Sequence, residues 1–377
     1  MHLAVFYDLR RWSDVPFASF DIKEQDAEHR DETTRYTLIT TNWKERWSSV
    51  SYDRESFSRL VGKKLIGGYS REKSGIWPFD REKDYLDFII GSKDGEPVYH
   101  TCNPDELSNY FGANPGAPHY LTPVFFRREV LQRYYAKPSI YTVRDGHLDC
   151  GHLWGIEIDN NHPKYVLVYL GDLGRDLTTE EQKHWVRYNV EPDGTISRVS
   201  FKRDFLAEFA DPQRADLLFK YLFTSQQKKW KEKHNWDLFL PLHEDDEHCL
   251  STLRIPLTDD QAEFDQQILA LAKVLIDSLN IDELRSHVTA QGKEEMKGIA
   301  LLEQLLKEKK MQGYEGFIVF LRRVQSLRST GVAHRKGENF EKAAKEIGLE
   351  TNSPQAIIEA LLQQGISFMK LLDTVMH

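Results

Sequence analysis

Apolar residues recur along this chain with two different periods, and the change of period divides it. Over residues 1–110 short apolar runs alternate with turn-rich breaks, which is the spacing of strands. Residues 85–90 and 97–100 flank Lys93-Asp94-Gly95, and Asp-Gly supplies the positive φ angles of a tight hairpin, so a hairpin is expected there. The opening MHLAVFYDLRRW carries a short apolar run and reads as a strand or core segment. Residues 19–34 mix acids and bases and read as a loop.

From about 111 to 255 the pattern is mixed. Asn114-Pro115-Gly116-Ala117-Pro118 breaks the chain, and a short helix over 127–135 follows, which Lys137-Pro138 would end. Trp154, Ile156 and Ile158 alternate with smaller or polar residues, a turn occupies 159–163, and a second apolar run covers 165–170. That pair is expected at the centre of one antiparallel sheet. Residues 191–194 form a further turn, and 199–230 reads as helical, with Phe205, Leu206, Phe209, Leu217, Leu218 and Leu222 on its apolar stripes.

Residues 241–256 are acidic and flanked by Pro, which suits a linker or docking loop, and beyond them the period is that of helices. Thr258 with Gln261 makes a capping box ahead of Phe264, Ile268, Leu271, Leu275 and Leu279. Residues 299–306 and 317–327 give two more amphipathic helices. Ser353-Pro354 starts another, with Ile357, Leu361, Phe368 and Leu372 on its buried side. Helices with such short connections make an antiparallel bundle. The predicted class is α+β: a mixed α/β N-terminal portion with an antiparallel sheet, then an all-α bundle, divided as 1–110, 111–256 and 257–377. No tandem repeat is visible.

Composition narrows the function classes. At 377 residues, 40% apolar and 12% aromatic, the chain can bury two or three cores. A net charge of −9 provides no overall field for nucleic acid, so any RNA site must be local. One local patch exists: between Lys307 and Lys336 stand eight Lys or Arg against two Glu. Three scattered cysteines, Cys102, Cys150 and Cys249, do not make a disulfide framework, which fits a reducing, cytoplasmic setting. No run approaches the ~18 apolar residues of a spanning helix, and no leader is expected, so no membrane partner is either.

Several clusters carry chemistry-bearing residues without the spacing that chemistry needs. His243, Glu244, Asp245, Asp246, His248 and Cys249 could ligate a metal, but no second cluster completes a zinc pattern and the helical His-Glu-x-x-His order is missing. A solvated acidic loop is the expectation there, and His147, Cys150 and His152 fall the same way. Gly171-Asp172-Leu173-Gly174-Arg175-Asp176 follows an apolar run but lacks the endings of a phosphate loop, so a plain turn is expected. Residues 226–236 interleave Lys228, Lys229, Lys231 and Lys233 with Trp230 and Trp236, a composition that suits either stacking on RNA or an ordinary Lys-rich helix end.

One stretch stands apart. Residues 327–337, LRSTGVAHRKG, follow the helical pattern of Phe317, Leu321 and Val324, with Arg328 and His334 separated by five residues. On one unbroken helix these side chains would lie about 120° apart; Gly331 and the Ser329 and Thr330 hydroxyls make a break plausible that brings guanidinium and imidazole together. Over roughly the last third of the chain, this Arg, polar residue, short spacer and His at the end of a long helix resemble the HEPN superfamily, whose active members are metal-independent ribonucleases. That family often has Asn, Asp or His after the Arg, where this chain has Ser329.

The resemblance implies an RNA-cutting site of Arg328, His334 and Ser329, with Arg322, Arg323, Thr330, Arg335 and Lys336 contacting RNA, and with no metal or cofactor. It further implies a homodimer through 257–377, a toxin or defence role, and a trigger or inhibitory protein that meets residues 1–256. The alternative is a non-catalytic RNA- or protein-binding module that uses the helical domain to dimerise. A hydrolase housed in 111–255, with Asp172 or His152 in its site, has no supporting motif.

Overall fold

A computed structural model describes residues 2–13, 27–30, 34–41, 56–67, 83–151, 153–329 and 351–374, in two compact units, Met1–Lys83 and Asp84–His377. The first unit holds a four-stranded antiparallel sheet of β1 (His2–Ser13), β2 (Ala27–Arg30), β3 (Thr34–Thr41) and β4 (Ser56–Gly67), in the order β1-β4-β3-β2. Strand β2 lies inside the polar stretch read as a loop, and its register runs from Ala27 opposite Leu38 to Arg30 opposite Arg35. Backbone pairing with β3 makes a strand there, where side-chain alternation gave no signal.

The second unit opens with the expected hairpin, β5 (Asp87–Lys93) and β6 (Glu96–Thr101), turned by Asp94 and Gly95 at φ of 54° and 84°. Strand β7 (Pro123–Arg127) is followed by a short helical turn and α1 (Gln132–Tyr135). Strands β8 (Tyr141–Val143), β9 (His147–Cys150) and β10 (Trp154–Glu157) form one three-stranded antiparallel sheet. Strand β11 (Tyr165–Tyr169) instead pairs with β7, whose other edge takes β12 (Asn189–Val190). The two apolar runs expected to pair in one sheet therefore stand in different sheets, bridged only where Asp159 meets Leu167. Asp159 is the reason: its carboxylate accepts the Asn161 and Ser197 amides, which turns the chain before a second ladder can form. The aromatic core of this sheet lobe includes Phe88, Phe126, Tyr134 and Trp185, all fully buried.

The stretch read as a turn after β11 is the helix α2 (Leu170–Asp176), buried through most of its length. Its glycines serve packing: a Cβ at Gly174 would stand 1.8 Å from the Cys102 carbonyl oxygen, and one at Gly171 would stand 2.2 Å from the Tyr120 ring. Helix α3 (Thr179–Val186) follows, capped by Thr178. The single helix expected over 199–230 is divided. A short helical piece, α4 (Arg198–Ser200), widens into a π turn over Phe201–Phe205, and α5 (Ala215–His234) begins only after an irregular loop. Phe205, Leu206 and Phe209, assigned to apolar stripes, are exposed, the first two at the end of the π turn and Phe209 on the loop, with Ala207 at φ 51°.

The helical lobe continues with α6 (Glu247–Thr252) and α7 (Gln261–Ala272), which runs on through a π turn, Lys273–Asp277. Asp260 caps α7 by accepting the Ala262 amide, displacing the capping box expected at Thr258 and Gln261. Thr258 instead donates its amide and hydroxyl to Glu263, at 2.9 and 2.8 Å. Helices α8 (Ile281–His287), α9 (Gly298–Glu308), α10 (Tyr314–Leu327) and α11 (Pro354–Thr374) complete the lobe. Helices α5 and α7 to α11 share one apolar core, in which Phe219, Phe264, Leu302, Phe320 and Phe368 are fully buried. The helical core therefore starts at Ala215, well ahead of the acidic segment 241–256. The α+β class stands. Among the described residues, no helix is long and apolar enough to cross a membrane.

Candidate functional site

Helix α10 starts at Gly313, whose φ of 79° suits an N-cap without a side chain, and buries Ile318, Phe320, Leu321, Val324 and Leu327 on one stripe. The same periodicity sends Arg322 outward, where it pairs with Glu303 at 2.5 Å, and leaves Arg323 half-buried. Arg328 follows the last α-helical residue of α10 and, with Ser329, carries the chain on in a π turn. Its Nη1 donates to Asp277 Oδ1 at 2.5 Å, with the two side chains 34% and 40% exposed. Ser329 Oγ donates back to the Ser326 carbonyl at 3.0 Å. Thr330, His334, Arg335 and Lys336 lie outside the described residues.

This arrangement gives a guanidinium with one N–H committed to a carboxylate and part of its surface in solvent. A bidentate fork of that kind can take a phosphate oxygen on its remaining donors. Asp277 comes from the π turn after α7, and no spacing in the sequence relates it to Arg328. The partner was missed for that reason.

The other candidates resolve into structural roles. In the acidic stretch His243 Nδ1 stands 3.4 Å from Asp245, Asp246 binds Lys273 at 2.6 Å, and Cys249 is buried. His147 pairs with Asp149 at 3.0 Å beside buried Cys150, and His152 lies outside the described residues. Among the described residues, no group of three or more His, Cys, Asp or Glu is placed to hold a metal ion. Trp230 and Trp236 are 4% and 8% exposed and pack edge to face, so the stacking on RNA considered for residues 226–236 has no open ring faces to use. Asp172 is buried, accepts from Tyr120 Oη and Arg175 at 2.9 Å each, and burial raises its pKa.

A second constellation escaped sequence reading altogether. Where the sheet lobe meets the helical lobe, Arg254 pairs with Glu263 at 2.5 Å and lies over the Tyr135 ring at 4.5 Å, both members of the ion pair being buried. Buried Asp216 pairs with Arg214 at 3.1 Å and accepts the Ile255 amide at 3.2 Å. Although burial opposes it, the Arg214 charge and hydrogen bond hold the Asp216 carboxyl far below its ordinary range. Arg128 reaches across to the loop before β11, donating to the carbonyls of His162, Tyr165 and Asn160 and to the Asn160 side chain. The one local hint was a charged residue, Asp216, placed directly before the apolar run Leu217-Leu218-Phe219. Its ion-pair partner Arg214 stands two residues before it, but Ile255 comes from a distant segment, which a local pattern cannot join. Neither a family model, nor a curated protein, nor a solved structure matches this chain, and its functional reading therefore rests on the residues themselves.

Proposed function

We propose that this chain is a metal-independent endoribonuclease of the toxin or defence type, with Arg328 and His334 as its working pair. The observation that carries the reading is the position of Arg328: it follows directly on an amphipathic α-helix of a packed helical core, part-exposed and oriented by Asp277. His334 follows six residues later in the sequence. Imidazole titrates near neutrality and can take the proton of a ribose 2′-hydroxyl or return one to the leaving oxygen. Guanidinium offsets the charge that gathers on the phosphorane. The 2′-oxygen attacks phosphorus, the 5′-oxygen leaves, and the product ends in a 2′,3′-cyclic phosphate. Two copies meeting through 257–377 would line one cleft with two such pairs, and residues 1–256 would take a trigger or inhibitory protein. We place the protein in the cytoplasm on its free cysteines.

The second reading is a catalytically silent binding module built on the same helical lobe. It draws on Asp277, which offsets the charge of Arg328, and on Ser329, whose hydroxyl is spent on the Ser326 carbonyl. The substitution His334→Ala separates the two. On the nuclease reading it abolishes cleavage and leaves RNA affinity largely intact, because general acid/base catalysis contributes about 10²–10⁴-fold mainly on the way to the transition state. Retained cleavage by well-folded H334A protein would leave the binding module as the better reading.

A further inference from the structure

The nuclease reading leaves unused a polar cavity of about 710 Å³ on the second unit, between the end of β7, the loop before β11, the start of α5 and the first turns of α11. Its wall carries Arg127, Arg128, Lys164 and Arg214 against only two carboxylates, Glu129 and Glu359. This is a local excess of positive charge in a chain whose net charge is −9. Lys164 has Asp193 at 2.6 Å and Arg214 has Asp216 at 3.1 Å, but Arg128 differs. All its hydrogen bonds go to neutral oxygens, and among the described residues no carboxylate pairs with it. Its Nε is buried without a partner, and so is Oε1 of Gln355 on the same cavity wall. One orphaned donor and one orphaned acceptor thus belong to residues that line a single space. Leaving such groups unmet is costly, and because both atoms are closed off from solvent, a polar ligand meets them only where the two side chains turn toward the cavity. Burial, with the neighbouring Arg214 charge next, also lowers the pKa of Arg128 to about 9, and an anion beside it would reverse that shift.

We infer that this cavity binds a small phosphorylated ligand of nucleoside monophosphate size, with its phosphate on Arg214 beside the Arg128 charge and its sugar or base polar groups on Gln355 and Glu359. The volume falls within the ordinary range for small-molecule pockets and exceeds what a bare phosphate fills. Arg214 keeps Nη1 outside its hydrogen bonds to Asp216 and can offer it to phosphate oxygens, Arg128 adds charge while its Nη donors stay on Asn160, His162 and Tyr165, and Gln355 Oε1 and the Glu359 carboxylate accept from hydroxyl or amino groups. The site is independent of Arg328.

The test uses the full chain, thermal unfolding and calorimetric titration, with the four ribonucleoside 5′-monophosphates and with inorganic phosphate. At least one nucleotide is expected to raise Tm and to bind more tightly than phosphate by about ten-fold or more. Gln355→Leu removes the orphaned acceptor, so it should keep or raise the Tm of the free protein while it weakens nucleotide binding by about ten-fold. Arg128→Lys should weaken it further. Should that variant not fold, Gln355→Leu and Glu359→Ala still decide the matter. Arg328→Ala should leave binding unchanged. Absence of a shift with every probe overturns the site, and phosphate acting as strongly as the nucleotides overturns the size assignment. Binding that survives Gln355→Leu but is lost in Arg328→Ala moves the ligand to the other end of the helical lobe and overturns the proposal.

Discussion

Asp277 and Arg328 are 51 residues apart in sequence and 2.5 Å apart in space, which ties the end of α10 to the π turn that extends α7. A regular α-helix through residue 277 would rotate each later side chain, so the wider turn sets where this carboxylate points.

The pair makes the two functional readings diverge. Both side chains are more than a third exposed or close to it, so Asp277→Ala should cost less than about 1 kcal/mol of stability. If Arg328 stabilises a phosphorane, the same change loosens its orientation and lowers kcat by about ten-fold or more, with KM nearly unchanged. If the lobe only holds RNA, removal of a negative charge strengthens binding instead. Single-turnover cleavage and filter-binding assays on one D277A preparation distinguish these outcomes.

Cleavage should survive excess chelator, because the chemistry proposed for Arg328 and His334 needs no metal-bound hydroxide. Loss of activity in EDTA, restored by Mg²⁺ or Mn²⁺, would move the active site away from this pair.

Helix α2 predicts a sharp packing response. Gly174→Ala places a methyl group 1.8 Å from the Cys102 carbonyl oxygen, a backbone atom that cannot rotate aside. Overpacking commonly costs about 1–3 kcal/mol, and this site belongs at or above the upper end. Gly91→Ala meets nothing within 4 Å and serves as the control. Equal denaturation midpoints for the two variants would contradict the tight seating of α2.

Stability should fall on mild acidification. His162, His184 and His234 all have lowered pKa values in the folded chain, each chiefly through burial. The unfolded chain then takes up protons near the ordinary histidine value while the folded one resists. Stability is full above that value and declines as pH drops through it. Asp216 acts in a separate, more acidic window: its carboxyl is held low by Arg214, so its contribution persists above the ordinary aspartate value and is lost below it. Urea midpoints at pH 7.5 and 5.5 should show the histidine slope, and His184→Gln should flatten it. An unchanged slope in that variant would remove His184 from the account.

How far the sequence spoke depends on whether the signal was local. The β5–β6 hairpin was legible because Asp94-Gly95 fixes the turn by its own φ preferences, and α10 and α11 because one apolar stripe decides a surface helix. The division of residues 199–230 was not, since Phe205 and Phe209 satisfy a helical period while the chain leaves the helix through a π turn. Nor was the pairing of β11 with β7, which depends on which distant edge is free. At the candidate site Arg328 could be named from the sequence, whereas Asp277 could not. The seam of Arg128, Asp216, Arg254 and Glu263 draws each member from a different segment.

That seam has a consequence for how the second unit comes apart. Glu263 accepts from Arg254, Leu257 and Thr258 and Asp216 accepts from Ile255, which bonds the segment to α7 and α5, while Arg254 lies over the Tyr135 ring and Leu257 packs on the core of the sheet lobe. Breaking a buried pair such as Arg254 and Glu263 leaves an unmatched charge and costs about 3–5 kcal/mol, a large part of the stability of an ordinary domain. Local opening at this segment therefore forfeits a substantial share of the fold's stability. Residues 84–377 should melt in one cooperative step, with the amides of Arg254 to Thr258 exchanging with solvent as slowly as those of the central helices. A chain cut at 256/257 would separate Arg254 from Glu263, and neither fragment would keep its structure alone.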